Sequence, residues 1–250
     1  MAMIYKKYKH SKPQKWGDFY DKMLTHIELG EEFIWPKPNE RSTISQTLSE
    51  FLSDESISHI FDGADGWERM DRLRCTLKVE LLRSDLARAT AICIWIVRTW
   101  GGINTGLNEI PAWVNEWQGF DRGKVHDFVN RKQYARIASW SKILSFAFPE
   151  QYAVYDARNA AALDCAFEKI GLGRRFPITA TQNTHVNRVR KYLVSHRYVP
   201  VDLTYHDYLV LLHSYASKNF GGNIMRAEMN LFANSVEVIT RYLNEQNAVI

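Results

Sequence analysis

Apolar side chains recur at helical spacing along almost the whole chain, whereas strand-like alternating stretches such as "YAVY" at 152–155 are short and few. Helices become stable by burying their apolar faces against one another, so this periodicity predicts an all-α fold. The 46% apolar and 13% aromatic residues are enough for a packed core. With 250 residues and no repeat or low-complexity linker, we expect one two-lobed helical globule, with lobes at roughly residues 1–105 and 106–250.

The spacing of apolar residues also predicts where individual helices lie. The helix at 80–100 is the longest and most apolar, so we expect it to be the central core helix. Gly101 and Gly102 provide its stop signal, and residues 101–113 are predicted to form a loop. The remaining predicted helices span residues 16–29, 40–54, 67–77, 121–132, 134–148, 156–170, 182–197, 204–219 and 223–244.

Positive charge is concentrated in two stretches, although the formal net charge is only +4. Residues 1–17 contain five lysines and no acid, and residues 169–201 again contain no Asp or Glu. The second stretch carries seven basic residues, which are Lys169, Arg174, Arg175, Arg188, Arg190, Lys191 and Arg197. Such a field suits a polyanion, most simply nucleic acid. The alternative is a solvated basic surface that faces acids from elsewhere in the fold.

Several classes of protein are disfavoured by what the sequence lacks. The cysteines at 75, 93 and 165 are far apart and form no CxxC pair, so we expect neither disulfides nor a cysteine-based zinc site, and Cys93 and Cys165 are predicted core residues. No histidine motif for a metal and no phosphate-binding loop occurs, so we expect no metal and no cofactor. The chain has no apolar signal core or membrane-spanning run, which predicts a cytoplasmic protein without membrane contact or an obligate protein partner.

Two charged residues within "ASWSKILSFAFPEQYAVYDARNAAALD", residues 138–164, carry the functional argument. Lys142 lies opposite the apolar stripe of its helix among small residues, where a backbone or a phosphate has room to approach. The alternative is a solvated lysine on a polar helix face. Asp156 opens the next helix, on the line of its core stripe, and as an N-cap it would accept backbone N–H groups. A capped carboxylate is also able to act as a fixed negative charge beside a cationic sugar.

The stretch "WSKILSFAFPEQYAVYDARNAAAL" resembles the core of the helix-hairpin-helix DNA glycosylases. That resemblance implies a two-lobed all-α fold and matches Asp156 with the family's essential aspartate. It also matches Lys142 with the lysine of those members that cleave the abasic strand as well. A bacterial anti-phage glycosylase that removes glucosylated hydroxymethylcytosine is a further suspected similarity.

The resemblance implies excision of a modified base that the enzyme flips out of double-stranded DNA. Asp156 would stabilise the cationic sugar and orient a water molecule, and Lys142 would act as a Schiff-base nucleophile or contact phosphate. The flipped base would stack on Trp140, Trp100 or Trp113, for each of which core packing is the alternative role. The residues expected to bind DNA are Ser139, Ser141, Arg158, Asn159, Arg174, Arg175, Arg188, Arg190 and Lys191.

A rival hypothesis shares the basic surface but not the chemistry. In a non-catalytic nucleic-acid-binding protein of a defence system, Asp156 would be a helix cap and nothing more. A nuclease is a third possibility, but the sequence offers no cluster of carboxylates for the metal ions that such an enzyme uses.

Overall fold

We describe the fold from a computed structural model, which describes residues 41–63, 66–132, 134–171, 174–195 and 201–247. The predicted helix at 16–29, Arg197 and the lysine-rich stretch at 1–17 lie outside the described residues. Within them the chain is predominantly helical, which confirms the all-α prediction. The α-helices are α1 (Arg41–Leu48), α2 (Asp54–Phe61), α3 (Gly66–Arg83), α4 (Leu86–Trp95), α5 (Ile110–Glu116), α6 (Arg122–Lys132), α7 (Ile137–Ala147), α8 (Ala157–Lys169), α9 (Thr184–Ser195), α10 (Tyr205–Asn219) and α11 (Ile224–Asn247).

Two short strands complete the described secondary structure. Strand β1 (Arg174–Arg175) lies parallel to β2 (Val201–Asp202), with Arg174 opposite Val201 and Arg175 opposite Asp202. This pairing fastens the connection after α8 to the residues that lead into α10. Two residues a strand cannot form a sheet with its own core, so the fold is held by helix packing.

The helices pack in two sets, which α11 joins. Helices α2, α3, α4 and α5 contact one another in chain order, and α7 packs against α3. Helices α8, α9 and α10 each pack against α11, which also reaches α3. One continuous apolar core runs through both sets. The end of α7 and the start of α8 therefore lie where both sets of helices meet.

The structure corrects three helix boundaries. The predicted helix at 80–100 is broken after Arg83, because Asp85 takes an extended conformation and its carboxylate caps α4 by accepting the Arg88 N–H at 2.8 Å. The predicted helix at 40–54 is likewise split, since Ser53 caps α2. The predicted loop at 101–113 contains the start of α5, whose first turn accommodates Pro111.

The residues that follow α4 end at the predicted glycine, but they form a π-helix and not an α-helix. Residues Ile96–Trp100 form a π-helical turn that stops at Gly101, as the sequence predicts. Helices α7 and α8, however, are enclosed almost completely, with every residue from Ser139 to Ala147 and from Asn159 to Phe167 buried. Arg88 and Arg98 on the predicted central helix are exposed. The prediction of the central core helix was therefore wrong, and α7 and α8 take that place.

Candidate functional site

Asp156 caps α8, as the sequence predicts. Its Oδ1 accepts the backbone N–H of Arg158 at 2.8 Å and the side-chain Nε–H of the same arginine at 3.2 Å. No described residue donates a hydrogen bond to the second oxygen, Oδ2. The side chain is 22% exposed, so it is neither sealed in the core nor freely solvated. One carboxylate oxygen is thus anchored, while the other keeps its lone pairs for a further contact.

Arg158 is itself fixed by an aromatic contact. Its guanidinium carbon lies 3.5 Å from the centre of the Phe232 ring on α11, a distance typical of a stacked cation–π pair. Because the stacked guanidinium also holds Asp156, the side chains of Arg158 and Phe232, which belong to two helices, set the position of the carboxylate. Sequence reasoning named Arg158 for DNA binding and missed this contact, since Phe232 is far away along the chain.

The extended segment between α7 and α8 delivers Asp156 to this position. Its backbone groups bond to side chains of three helices instead of to another strand. The Tyr155 N–H donates to Ser141 Oγ at 3.0 Å, the Val154 N–H donates to Glu228 Oε2 at 3.2 Å, and the Tyr208 hydroxyl donates to the Val154 carbonyl at 2.9 Å. These bonds satisfy buried backbone groups and hold the segment rigidly.

Lys142 is buried, with 7% of the residue exposed, so the alternative of a solvated polar face was wrong. Its ammonium nitrogen lies 5.6 Å from the centre of the Trp100 ring, and no described residue forms a hydrogen bond or an ion pair with it. Burial lowers the pKa of Lys142 below its ordinary value, while the carboxylates of Asp156 and Glu228 act in the opposite direction. Among the described residues, this lysine is therefore a buried cation without a direct counter-ion.

Gly101 allows the close approach of the chain to Lys142. A Cβ at this position would lie 2.6 Å from Lys142 Cδ and 2.8 Å from Cε, well inside van der Waals contact. The π-helical turn that precedes Gly101 places its backbone against the aliphatic stem of the lysine. A glycine is thus required here by space, because its φ of −87° suits any residue.

A buried ion pair lies beside Lys142. Arg74 of α3 places two guanidinium nitrogens 3.1 Å from Glu228 Oε2 on α11, and both side chains are almost fully buried. The Arg74 guanidinium also lies 5.9 Å from the centre of the Trp100 ring. Both Arg74 and Arg158 lower the pKa of Lys142. We refer to Arg74, Lys142, Asp156, Arg158 and Glu228 together as the Lys142 cluster.

The three tryptophans proposed for base stacking lie in different surroundings. Trp100 is partly exposed and borders the Lys142 cluster, so it is the one positioned for contact with a substrate. Trp140 is fully buried and donates its indole N–H to the Ala135 carbonyl at 2.8 Å. Trp113 is 3% exposed and packs edge-on against Phe128. In this conformation Trp140 and Trp113 pack in the core, so neither offers a face to a base.

Three residues near Asp156 that were predicted to bind DNA are buried inside the protein. Ser141 accepts the backbone bond described above, and Asn159 donates its amide to the Tyr208 hydroxyl at 3.1 Å. Ser139 is 5% exposed on the enclosed helix α7. As placed, these side chains do not present their polar atoms to a DNA backbone, and Arg158 is the more accessible member of the group near Asp156.

The basic residues after α8 separate into two kinds. Arg188 and Lys191 are exposed on α9, and Arg190 on the same helix is partly exposed. Arg175 is buried and pairs with Glu168 at 2.5 Å, while Arg174 is partly buried. Among these residues, the cations exposed to solvent are therefore on α9, and binding of a polyanion to them stays a prediction.

Arg74 and Glu228 are the members of the Lys142 cluster that sequence reasoning missed. Each is a charged residue within an apolar helix stripe, since Arg74 follows Leu73 and precedes Leu77, and Glu228 lies between Ala227 and Met229. A charge at a buried helical position is a sequence signal for a buried pair. The identity of the partner is not readable, because the two residues are far apart along the chain.

Comparisons with known proteins add no assignment: no family model, no curated protein and no solved structure matches the chain. The resemblance to the helix-hairpin-helix glycosylases therefore stays a prediction. In the described part of the chain, no three His, Cys, Asp or Glu side chains are grouped closely enough to hold a metal ion. None of the described helices is both long and apolar enough to cross a membrane. Cys93 and Cys165 are buried core residues, as predicted.

Proposed function

We propose that the protein is a DNA glycosylase that removes a modified base by breaking its N-glycosidic bond. The observation that carries this proposal is the Lys142 cluster, in which a buried lysine without a direct counter-ion lies near a partly exposed aspartate. Buried charges are costly, and side chains with perturbed pKa values cluster at functional sites. The cluster lies where the two sets of helices meet.

Asp156 supplies the charge that the reaction needs. As the bond between C1′ and the base nitrogen breaks, its electron pair leaves with the base and the sugar becomes cationic. Oδ2 of Asp156 is available to face that cation, while Oδ1 stays fixed by the cap and by Arg158. A water molecule then bonds to C1′ through its oxygen, and the proton it loses ends on the departed base.

Lys142 offers a second route to the same bond cleavage. Burial lowers its pKa, so a larger share of the side chain is the neutral amine than for an exposed lysine. Such an amine attacks C1′ while the electron pair leaves with the base, which takes up one amine proton. The C1′–O4′ bond then breaks, O4′ receives the second amine proton, and an imine joins Lys142 to the opened sugar. Borohydride reduces this imine to a stable amine, so covalent trapping of the enzyme on DNA distinguishes this route from attack by water.

The exposed cations of α9 complete the proposal. Arg188 and Lys191 are suited to contact phosphates, which positions a strand without selecting its sequence. Such contacts contribute affinity that falls as the salt concentration rises.

The variant Asp156→Asn tests the enzyme proposal. Asparagine caps a helix as well as aspartate does, so α8 stays intact while the charge is lost. We expect the formation of alkali-labile abasic sites to fall at least about a hundredfold, since the lost charge stabilises the transition state. DNA affinity should change by less than about twofold, because backbone contacts lie elsewhere. The substrates are duplexes with different modified bases, including glucosylated hydroxymethylcytosine.

A matched control is Asp85→Asn. Asp85 also caps a helix, α4, and its Oδ1 also accepts the backbone N–H of an arginine, Arg88, at 2.8 Å. This variant should keep wild-type activity. Equal and low levels of abasic sites from wild type and Asp156→Asn on every substrate would contradict the glycosylase proposal. DNA binding without base release would then favour the second candidate, a non-catalytic nucleic-acid-binding protein, which the exposed cations of α9 also support.

A further inference from the structure

Three nitrogen donors that lie around Trp100 have no acceptor among the described residues. The indole N–H of Trp100 and the Nε–H of Arg74 are buried and unpaired. The amine of Lys142 is the third, and it lies 5.6 Å from the centre of the Trp100 ring. Unpaired buried donors are rare in proteins, because each forfeits the hydrogen bond that it would make in water. Two such donors beside the unpaired amine of Lys142 indicate a ligand rich in acceptors.

Two of the carboxylate oxygens close to these donors are already engaged. Glu228 Oε2 receives two bonds from Arg74 and one from the Val154 N–H, and Asp156 Oδ1 receives two from Arg158. Two acceptors, Asp156 Oδ2 and the buried Asn159 Oδ1, have no partner among the described residues, against three unpaired donor groups. Donors therefore outnumber acceptors, so the ligand needs more acceptors than donors.

The charge balance of the Lys142 cluster also favours a ligand that accepts hydrogen bonds. The two arginines balance the two carboxylates, whether or not Lys142 is protonated. Lys142 then adds either one positive charge or none, so the cluster never carries a net negative charge. A base with a positive charge would meet no net negative charge here, whereas a base that gains negative charge would meet several N–H groups.

We propose that the excised base is a neutral, carbonyl-bearing base that leaves as an anion, and that cationic alkylated purines are not substrates. This inference rests on the proposed glycosylase function. When the glycosidic bond breaks, the electron pair on the base nitrogen delocalises onto the carbonyl oxygen. That oxygen is the acceptor that the Trp100 and Lys142 donors lack among the described residues. The proton released by the attacking water later neutralises the base.

The test compares two sets of DNA duplexes under single-turnover conditions. One set carries uracil, 8-oxoguanine or 5-hydroxymethylcytosine, and the other carries N7-methylguanine or N3-methyladenine. We expect release of at least one neutral base about a hundredfold or more above the rate without enzyme, and no enzymatic release of a methylated purine. Methylated purines also leave DNA spontaneously. The release measured with the variant Asp156→Asn, which we expect to be inactive, gives this background. Enzymatic release of N7-methylguanine, with or without release of a neutral base, would overturn the inference and leave the glycosylase proposal standing.

The variant Trp100→Phe tests the donor directly, because it keeps an aromatic ring and removes the N–H. We expect about a tenfold slower release of the neutral base, the effect of one hydrogen bond in the transition state. Trp117→Phe is the matched control, since the Trp117 indole N–H is also buried and unpaired but packs against Phe120 and Phe128. Equal rate losses in the two variants would overturn the role of Trp100. Release of no base from any duplex would instead contradict the glycosylase proposal itself.

Discussion

The Lys142 cluster and the basic face of α9 hold the same kinds of side chain in opposite environments. Lys142 and Arg74 are buried between helices, and each lies near carboxylates or aromatic rings. Arg188 and Lys191 on α9 are exposed to solvent. The two regions differ little in the sequence, where each is a run of apolar residues interrupted by cations. They differ in dielectric surroundings, and therefore in what each charge does.

The difference shows why charge count alone is a weak guide to function. An exposed cation is screened within about 10 Å at ordinary salt, so α9 acts through the summed field of several residues. A buried cation interacts strongly with every neighbour and destabilises the fold unless it is compensated. Single substitutions should therefore have large effects in the Lys142 cluster and small effects on α9.

The largest effect on stability is expected for Glu228→Gln. Glutamine keeps the shape of the side chain but leaves the Arg74 charge buried without its counter-ion. Breaking a buried pair in this way costs about 3 to 5 kcal/mol of unfolding free energy. Chemical denaturation measures the loss. The control is Glu237→Gln, which breaks the more exposed pair with Arg241 on the same helix and should cost about 0.5 kcal/mol or less. Equal losses would show that burial does not set the strength of the pair.

A smaller effect of opposite sign is expected for Lys142→Met. Methionine fills the buried volume without a charge, so the unfolding free energy should rise by about 1 to 2 kcal/mol near pH 7 while base release falls. Because burial lowers the pKa of Lys142 from 10.5, the folded protein loses this proton at a lower pH than the unfolded chain. Wild-type stability therefore rises with pH between the folded pKa and 10.5, and the variant lacks that rise.

Denaturation between pH 7 and pH 10.5 separates this prediction from a general packing effect. The advantage of Lys142→Met should shrink as the pH approaches 10.5, because the wild-type lysine is then increasingly neutral in both states. Lys191→Met is the control, since that side chain is exposed and its replacement should leave the stability within about 0.5 kcal/mol. A pH-independent advantage would contradict the assignment of a buried lysine whose charge destabilises the fold.

The environment of Lys142 shows how one sequence pattern leaves two interpretations open, since the backbone of Gly101 does approach the lysine as one of them allows, whereas the alternative of a solvated polar face was wrong. The small neighbours Ala138, Ser139 and Ser145 indicated room beside the lysine. Helix α3 and the π-helical turn occupy that room instead, because small residues are also what close helix packing requires. Local periodicity specifies which residues share a face, but it does not say whether solvent or another helix covers that face.

Helix content and the cap at Asp156 were predictable because they depend on neighbours along the chain. The hydroxyl and carboxylate caps, the glycine stop at Gly101 and the apolar spacing are all local signals. The break at Asp85 is also local, but it lies inside a continuous apolar pattern that conceals it. The pairing of Arg74 with Glu228 and of Arg158 with Phe232 depends on tertiary packing, which no local pattern specifies.

The smallest effects are expected on α9, where Arg188→Gln and Lys191→Gln each remove one exposed cation. DNA affinity should weaken equally for all sequences, and the slope of log affinity against log salt should fall by about one for each phosphate that is no longer neutralised. Base release at saturating enzyme should not change. Lys169→Gln is the control, because Lys169 belongs to the same acid-free stretch but pairs with Glu245 at 2.7 Å. An unchanged salt slope in both α9 variants would show that DNA does not contact this face. The exposed cations of α9 would then have no role in DNA binding that contrasts with the role of the Lys142 cluster.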